Sequence, residues 1–287
     1  MSLVTTATAA PRRRAVRRRP RPTPTVAPVS APLPLPRSVL LAAWWAAGDA
    51  PRGRVLDAVQ GDDEPHAVQG LDGVRDLTDL LDAVGTPHGV AGIVTSAGDS
   101  VAAPAEAAPA AVDAGECVLV RGPGATLALV PQVERFGSSL EPGHLVTWRA
   151  TEVPDWRTSL LGRLGSLQDA DRDLRQGLVT VTEALVRLDV AHWREDDAAR
   201  VAAARDGALP AHRLPPRLDG QRARVLASAS RLRLVVELAT QDDGAAVSAW
   251  QADQRTAALR DVDRMARRAM SAASTYLDSS RDSSRDS

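Results

Sequence analysis

Short apolar runs rich in β-branched residues occupy the middle of the chain. Glycine- and proline-containing turns separate several of them, a pattern that predicts neighbouring antiparallel strands. The expected strands are 89–96, 117–120, 126–133 and 144–153. The sequence therefore predicts a small antiparallel meander of three or four strands. Short helices are expected around this meander at 38–48, 53–60, 75–84 and 104–114.

Apolar residues recur every three or four positions in the last part of the chain, a spacing that predicts amphipathic helices. The first such series is Leu174, Leu178, Val181, Leu185 and Leu188. The spacing returns at 219–241 and in a last helix at 245–277 that includes Tyr276, and a shorter helix is expected at 190–207. Because apolar seams have to be buried against one another, these helices predict a four-helix antiparallel bundle.

The predicted fold class is α+β. A small antiparallel-sheet domain is expected over 38–160 and the C-terminal four-helix antiparallel bundle over 161–277. Residues 1–37 are rich in arginine and proline, and residues 278–287 read "DSSRDSSRDS". Neither segment has an apolar pattern that could form a core, so both are expected to be disordered tails.

The charge is distributed unevenly along the chain. The formal net charge is −1, but residues 1–37 contribute +8 and the rest of the chain −9. Most of the positive charge comes from Arg12, Arg13, Arg14, Arg17, Arg18 and Arg19. Such an arm is suited to nucleic acid or an anionic membrane surface. The main alternative is a solvated tail that lies against the acidic body. Two further alternatives are a segment upstream of the true start codon and part of a targeting signal.

The apolar stretch at 38–47 lies downstream of these arginines, as in a signal peptide. Its ten residues are too few to span a bilayer, which needs about 20. We therefore expect no membrane span, and we expect a cytoplasmic location.

The composition excludes several kinds of chemistry. All 35 basic residues are arginines, so a P-loop lysine, a Schiff-base lysine and a kinase lysine are excluded. A single cysteine, Cys117, excludes internal disulfides and cysteine-rich metal sites. Aromatic residues make up 3% of the chain, which disfavours an aromatic platform for stacked bases. We expect Cys117 to be buried and inert.

No catalytic motif is present, and we predict no catalytic residue, cofactor or metal site. The acidic turn "GDDEPH" at 61–66 is expected to be solvated, because no second group with metal-ligand spacing follows it. Four histidines are predicted at turns or element ends, in solvent or capping roles: His66, His88, His144 and His212. One alternative is an enzyme with a dispersed site that involves His88, His144 and nearby acids.

Tryptophans on predicted helices are the candidate anchors for a protein partner. Trp44 and Trp45 are adjacent, so they point about 100° apart on a helix and cannot both face one narrow groove. They are interpreted as core residues or, alternatively, as partner-binding residues together with Trp250.

Three segments in this order resemble a family of conserved actinobacterial proteins of unknown function. They are "GDDEPH" at 61–66, "AGECVLVRGPGATLALVPQV" at 114–133 and "ADQRTAALRDVDRMARRAMSAA" at 252–273. The resemblance implies a cytoplasmic actinobacterial protein and names no catalytic residue. The leading hypothesis is a non-enzymatic interaction or adaptor protein with an unknown protein partner. A nucleic-acid-associated protein acting through the arginine arm is the alternative.

Overall fold

The computed structural model describes residues 33–48, 50–99, 102–138, 141–187, 207–241 and 249–277. The predicted helix at 190–207 lies outside these ranges except for its last residue. The tail at 278–287 and the arginine cluster of the N-terminal arm also lie outside them. No helix within the described ranges is both long enough and apolar enough to cross a membrane.

A six-stranded mixed sheet forms the centre of the described structure. Its strands are β1 (Ala67–Gln69), β2 (Gly89–Val94), β3 (Glu116–Arg121), β4 (Thr126–Gly137), β5 (Pro142–Glu152) and β6 (Thr275–Leu277). Their order across the sheet is β1-β5-β4-β3-β2-β6. β1 runs parallel to β5, and the other neighbours are antiparallel. The α+β class is confirmed, but the prediction of a purely antiparallel sheet is wrong, because the edge strand β1 is parallel to β5. Both edge strands, β1 and β6, were missed.

Helices cover both faces of the sheet. They are α1 (Arg37–Ala47), α2 (Arg52–Gln60), α3 (Leu77–Val84), α4 (Ala108–Ala114), α5 (Arg157–Leu164), α6 (Leu167–Arg187), α7 (Gly220–Gln241) and α8 (Ala249–Ala273). A short 3₁₀ turn spans Ala211–Arg213. In α3, the carboxylate of Asp76 accepts the amide of Asp79 and caps the helix start. The apolar residues of α3 are buried, as their spacing predicts.

Two buried clusters lie on opposite faces of the sheet. On one face, α1, α2 and α3 pack over Val118, Leu129 and Trp148. On the other face, α4 and α5 pack over Leu119 and Ala128. The alternation of β3 and β4 residues between the two clusters follows from the two-residue period of a strand. Both faces of the central strands are therefore removed from water.

The third cluster joins the C-terminal helices to the sheet. α8 packs against both α6 and α7, and the buried side chains include Leu174, Leu226 and Met270. A four-helix bundle is not confirmed, since three of its predicted helices are described and the fourth is not. The predicted α6 seam is wrong at Leu178, which is 47% exposed. The other side chains of that seam, from Val181 onward, lie outside the described part.

The chain after α8 returns to the sheet. The side chain of Ser274 donates to the carbonyl of Gly92 over 2.7 Å, and Tyr276 of β6 lies opposite Val90 of β2. The prediction that the last helix continues through Tyr276 is therefore wrong. The helix ends at Ala273 because the following Thr-Tyr-Leu segment, rich in strand-forming residues, pairs with the open edge of β2.

Candidate functional site

Asp63 is the common acceptor of a hydrogen-bond cluster that joins three segments of the chain. Arg37 of α1 donates from Nε and Nη2 to Oδ2 over 2.9 and 2.6 Å. Nε2 of His66 lies 3.3 Å from the same oxygen, and Nδ1 of His144 lies 3.2 Å from Oδ1. Burial raises the pKa of Asp63, but the hydrogen bonds and charges of Arg37 and then His66 outweigh it and hold the pKa below its ordinary value.

His66 is fully buried, which corrects the prediction of a solvated histidine at a turn. Trp148 Nε1 donates to its Nδ1 over 3.1 Å, so the ring proton must lie on Nε2, facing Asp63. Burial lowers the pKa of His66 to about 4, and the imidazole is therefore neutral near pH 7. His66 is buried although most of the turn is exposed, because the strand that follows it, β1, pairs with β5 beside Trp148.

The structure does not bring His88 and His144 together. Their positions follow from the register: the amide of His88 donates to the carbonyl of Arg121, which pairs with Thr126 at the start of β4. His144 lies opposite Arg135, nine residues further along β4. At about 3.3 Å per residue, this separates the two histidines by roughly 30 Å. The predicted dispersed site is therefore not assembled, although His144 does contact one acid.

The Asp63 cluster acts as a cross-link between secondary-structure elements. Both carboxylate oxygens of Asp63 accept hydrogen bonds, and Nδ1 of His144 is directed to it. Within the described ranges, no group of three or more His, Cys, Asp or Glu side chains is arranged to hold a metal ion. What the cluster does is fix the start of β5 to the N-terminus of α1. It thereby anchors the hairpin formed by β4 and β5 near its turn, since His144 lies opposite Arg135, two residues before the end of β4.

The β4–β5 hairpin extends beyond its neighbours in the sheet. β3 pairs with β4 only as far as Leu129, whereas β5 pairs with β4 as far as Gly137. Among the described residues, no strand pairs with 130–137 of β4 on the side away from β5. We call this stretch the free edge of β4. An uncovered edge of this kind can template pairing with another chain.

The direction of the backbone groups along this edge follows from two hydrogen bonds at the start of β4. The carbonyl of Thr126 accepts the amide of Val153 after β5, and the carbonyl of Ala125 accepts the amide of Gly122 after β3. Even-numbered residues of β4 therefore direct their N–H and C=O groups to β5, and odd-numbered residues direct them to the free edge. Val133 and Arg135 thus direct their backbone groups to a side where no strand of the described ranges pairs with them.

Pro131 is the first odd-numbered residue on the free edge and has no N–H to present. Proline is confined to such positions in sheets because it cannot donate to a neighbouring strand. A strand added at this edge would therefore begin its regular hydrogen bonds at Val133. The part of the free edge that can pair with another strand is therefore short, and Pro131 defines where it begins.

Large apolar side chains are exposed on both faces of the hairpin. Val133 and Phe136 are each 44% exposed and Leu145 is 47% exposed. Phe136 and Leu145 share one face of the ribbon, and Val133 lies on the other. Phe136 lies opposite Gly143, where a Cβ would collide with the phenyl ring, so the glycine makes room for it. The hairpin therefore offers a binding surface, with exposed apolar side chains on both faces beside an open backbone edge.

The tryptophans predicted as partner anchors have other positions in the structure. Trp44 and Trp45 are both buried in the cluster under α1, and Trp44 Nε1 donates to the carbonyl of Arg213 over 2.8 Å. Trp250 lies in the first turn of α8, and its side chain is outside the described part. The predicted nucleic-acid-binding arginines are also outside it: Arg12, Arg13, Arg14, Arg17, Arg18 and Arg19. Cys117 is buried, which raises the pKa of its thiol to about 12.

Sequence reasoning missed the free edge, although Pro131 was a usable signal. The predicted strand ended at Val133, where the apolar run stops, and residues 134–137 were not assigned to a strand. A proline inside an otherwise strong strand pattern indicates an edge. No feature of the sequence predicted the length of the β4–β5 hairpin, because this length depends on the pairing of β4 with β5.

Two family models match the chain. The model described as "Rv1486c-like protein, N-terminal domain" matches residues 38–160, and "Rv1486c-like protein, C-terminal domain" matches residues 168–271. The chain belongs to the family of Rv1486c-like proteins. This agrees with the expected resemblance to a conserved actinobacterial family of unknown function. Searches among curated proteins and among solved structures gave no match for this Rv1486c-like protein.

Proposed function

We propose that this protein is a non-enzymatic cytoplasmic interaction protein that binds an extended segment of a partner protein along the free edge of β4. The supporting observation is that no strand of the described part pairs with the outward backbone groups of Val133 and Arg135, beside which Phe136 and Leu145 are exposed. Main-chain hydrogen bonds to an edge strand supply affinity, and contacts with alternating side chains supply specificity. The partner segment should therefore carry apolar residues on both of its faces.

A partner of different sequence fits this edge better than a second copy of the chain. Antiparallel self-pairing about a two-fold axis places one residue opposite itself. If the two-fold axis passes through Glu134 or Arg135, the two copies of that residue face each other. Like charges then lie opposite each other, which destabilises a sheet. If the axis passes through Val133, Pro131 of one copy lies opposite Arg135 of the other. One inter-strand hydrogen bond is then lost, because proline has no N–H. Each of these registers has a cost that a heterologous segment avoids.

Photo-crosslinking in cells of the source organism tests this proposal. A photoreactive phenylalanine analogue replaces Val133 or Phe136 in the full chain, and the control position is Leu161, which is exposed on α5 away from the hairpin. We expect the same discrete crosslinked protein from both hairpin positions and none from position 161. The crosslinked peptide should map to an extended segment of the partner.

Two substitutions at one position separate edge pairing from simple proximity. Arg135→Pro removes an N–H from the free edge, whereas Arg135→Thr keeps it and removes the same charge. We expect crosslinking to be lost with proline and retained with threonine. Crosslinks that form equally at position 161, persist with proline, or join two copies of this chain would each overturn the proposal.

A further inference from the structure

A pocket of about 640 Å³ lies beside the chain that precedes α1, next to the start of β3. The chain before α1 forms one wall through Leu35 and its neighbouring prolines, and α7 forms the opposite wall through Arg233 and Val236. Met270 of α8 and Glu116 of β3 also line it. This volume is in the range that holds small organic molecules.

Glu116 is a buried carboxyl group in the wall of this pocket. It is 9% exposed, and its Oε2 accepts the backbone amide of Ser38 over 2.6 Å. Burial raises the pKa of Glu116. The hydrogen bonds of Ser38 and the charges of Arg37 and Arg233 lower it, but the effect of burial is larger. A buried carboxylate is costly unless a cation or several donors neutralise it, so a ligand that supplies a positive charge would be favoured here.

The positive side chains around Glu116 are already paired with other acids. Arg37 donates to Asp63, as described above, and Arg233 Nε lies 3.5 Å from Asp263 Oδ1. Asp263 also pairs with the buried Arg267, which in turn lies 2.8 Å from Asp99. Glu116 and Asp263 bring two carboxyl groups to the lining of this pocket, and Arg233 brings a guanidinium group that is already paired with Asp263. The formal charge of these three groups is negative.

We propose that this pocket binds a small organic cation, with a primary ammonium group placed against the carboxylate of Glu116. The aliphatic part of the ligand packs against Leu35, Val236 and Met270. Such a ligand supplies the positive charge and the N–H donors that a buried carboxylate requires, and it covers the apolar walls of the pocket. The site is separate from the free edge of β4 and does not depend on the proposed partner.

Isothermal titration calorimetry on the full chain tests the site with two probes of equal length. The probes are n-hexylammonium chloride and sodium n-hexanoate, which share their chain length and carry opposite charges. We expect saturable one-to-one binding of the ammonium probe and at least tenfold weaker binding of the carboxylate probe. Equal binding of both probes, or no binding of the ammonium probe, would overturn the proposal.

Charge removal at Glu116 identifies the anchor. Glu116→Gln keeps an acceptor for the amide of Ser38 but loses the charge, and we expect roughly ten- to a hundredfold weaker ammonium binding. Glu106→Gln removes the same charge from an exposed residue on another surface and should leave the affinity within about twofold. Filling the pocket with Val236→Trp is a second variant, which should abolish binding even if Glu116→Gln does not fold. Unchanged binding in either pocket variant would place the probe elsewhere and reject the site.

Discussion

Gly92 of β2 and Ser38 of α1 meet backbone to backbone. A Cβ added to Gly92 would lie 2.6 Å from the carbonyl oxygen of Ser38 and 2.9 Å from the Cα of Val39. Neither atom belongs to a flexible side chain, so a larger residue can be accommodated only if α1 shifts away from the sheet. The close approach also places the amide of Ser38 against the carboxyl of Glu116.

We predict that Gly92→Ala destabilises the protein by about 1–3 kcal/mol, the usual cost of overpacking a core. Chemical denaturation followed by circular dichroism measures it. Gly162→Ala is the matched control, because no atom lies within 4 Å of its added Cβ and it is inside α5. That control should be neutral or stabilise by up to about 1 kcal/mol. Equal effects of the two substitutions would show that α1 does not approach β2 as described.

The stability of the fold should depend on the neutral form of His66. Its pKa is lowered to about 4 in the folded chain and is about 6.5 in an unfolded chain. The unfolded state therefore binds more protons between these values, so the contribution of His66 is complete above about pH 6.5 and is lost as the pH falls toward 4. Its slope approaches about 1.4 kcal/mol per pH unit. In urea denaturation at a series of pH values, the advantage of the wild type over His66→Gln should shrink across this window.

Glu116 supplies a comparison of opposite sign. Burial raises its pKa above the ordinary value of 4.5, so its ionisation opposes folding as the pH rises through that raised value. Glu116→Gln should therefore gain stability relative to the wild type with increasing pH, measured in the same urea series. A difference that is independent of pH for both variants would contradict the burial of these two groups.

Local patterns predicted those parts of the fold that depend on neighbouring residues in sequence. The four apolar residues of α3 and the seam of α7 from Val225 to Ala239 have the spacing that their burial requires. β2, β3, β4 and β5 were also predicted, with β4 too short. The sequences of these elements have a strong helical periodicity or a run of β-branched residues. Their tertiary contacts favour the same secondary structure as the local pattern does.

The missed elements depend on partners distant in sequence. β1 and β6 are three residues long, too short for any periodicity, and each exists because an existing strand offers an edge. His66 was assigned to a solvent or capping role because it lies at a predicted turn. Its burial comes from Trp148, 82 residues away. The candidate binding surface was missed for the same reason, since a free edge is defined by where β3 stops.

Amide exchange should alternate along the free edge of β4. Gln132 and Glu134 direct their N–H groups to β5, so hydrogen–deuterium exchange followed by NMR should be slow at these positions. Val133 and Arg135 direct theirs outward, and we expect exchange at least about tenfold faster there. Addition of a bound partner segment should slow the odd-numbered pair alone. Uniformly fast exchange would show an unpaired ribbon, and uniformly slow exchange in the isolated protein would show an edge that is already covered.

The last strand should contribute to stability even though it is only three residues long. Arg222 lies 4.1 Å from the centre of the Tyr276 ring, and its Nη1 donates to the carbonyls of Ala273 and Thr275, each over 2.8 Å. Removal of residues 275–287 eliminates the contacts of Arg222 with Thr275 and Tyr276 and exposes the edge of β2. We predict a loss of about 1.5–3 kcal/mol, the scale of one large buried side chain, and a melting temperature lower by several degrees in calorimetry.

Two comparisons isolate the contribution of the strand itself. Removal of residues 278–287 alone should leave the melting temperature within about 3 °C of the full chain, because it removes no residue of β6. Arg222→Ala should reproduce part of the larger loss, whereas Arg224→Ala, which changes an exposed arginine on the same helix, should not. If the two truncated chains melted together, β6 would add nothing to the sheet. The chain after Ala273 would then be free to continue as the helix that its sequence predicts.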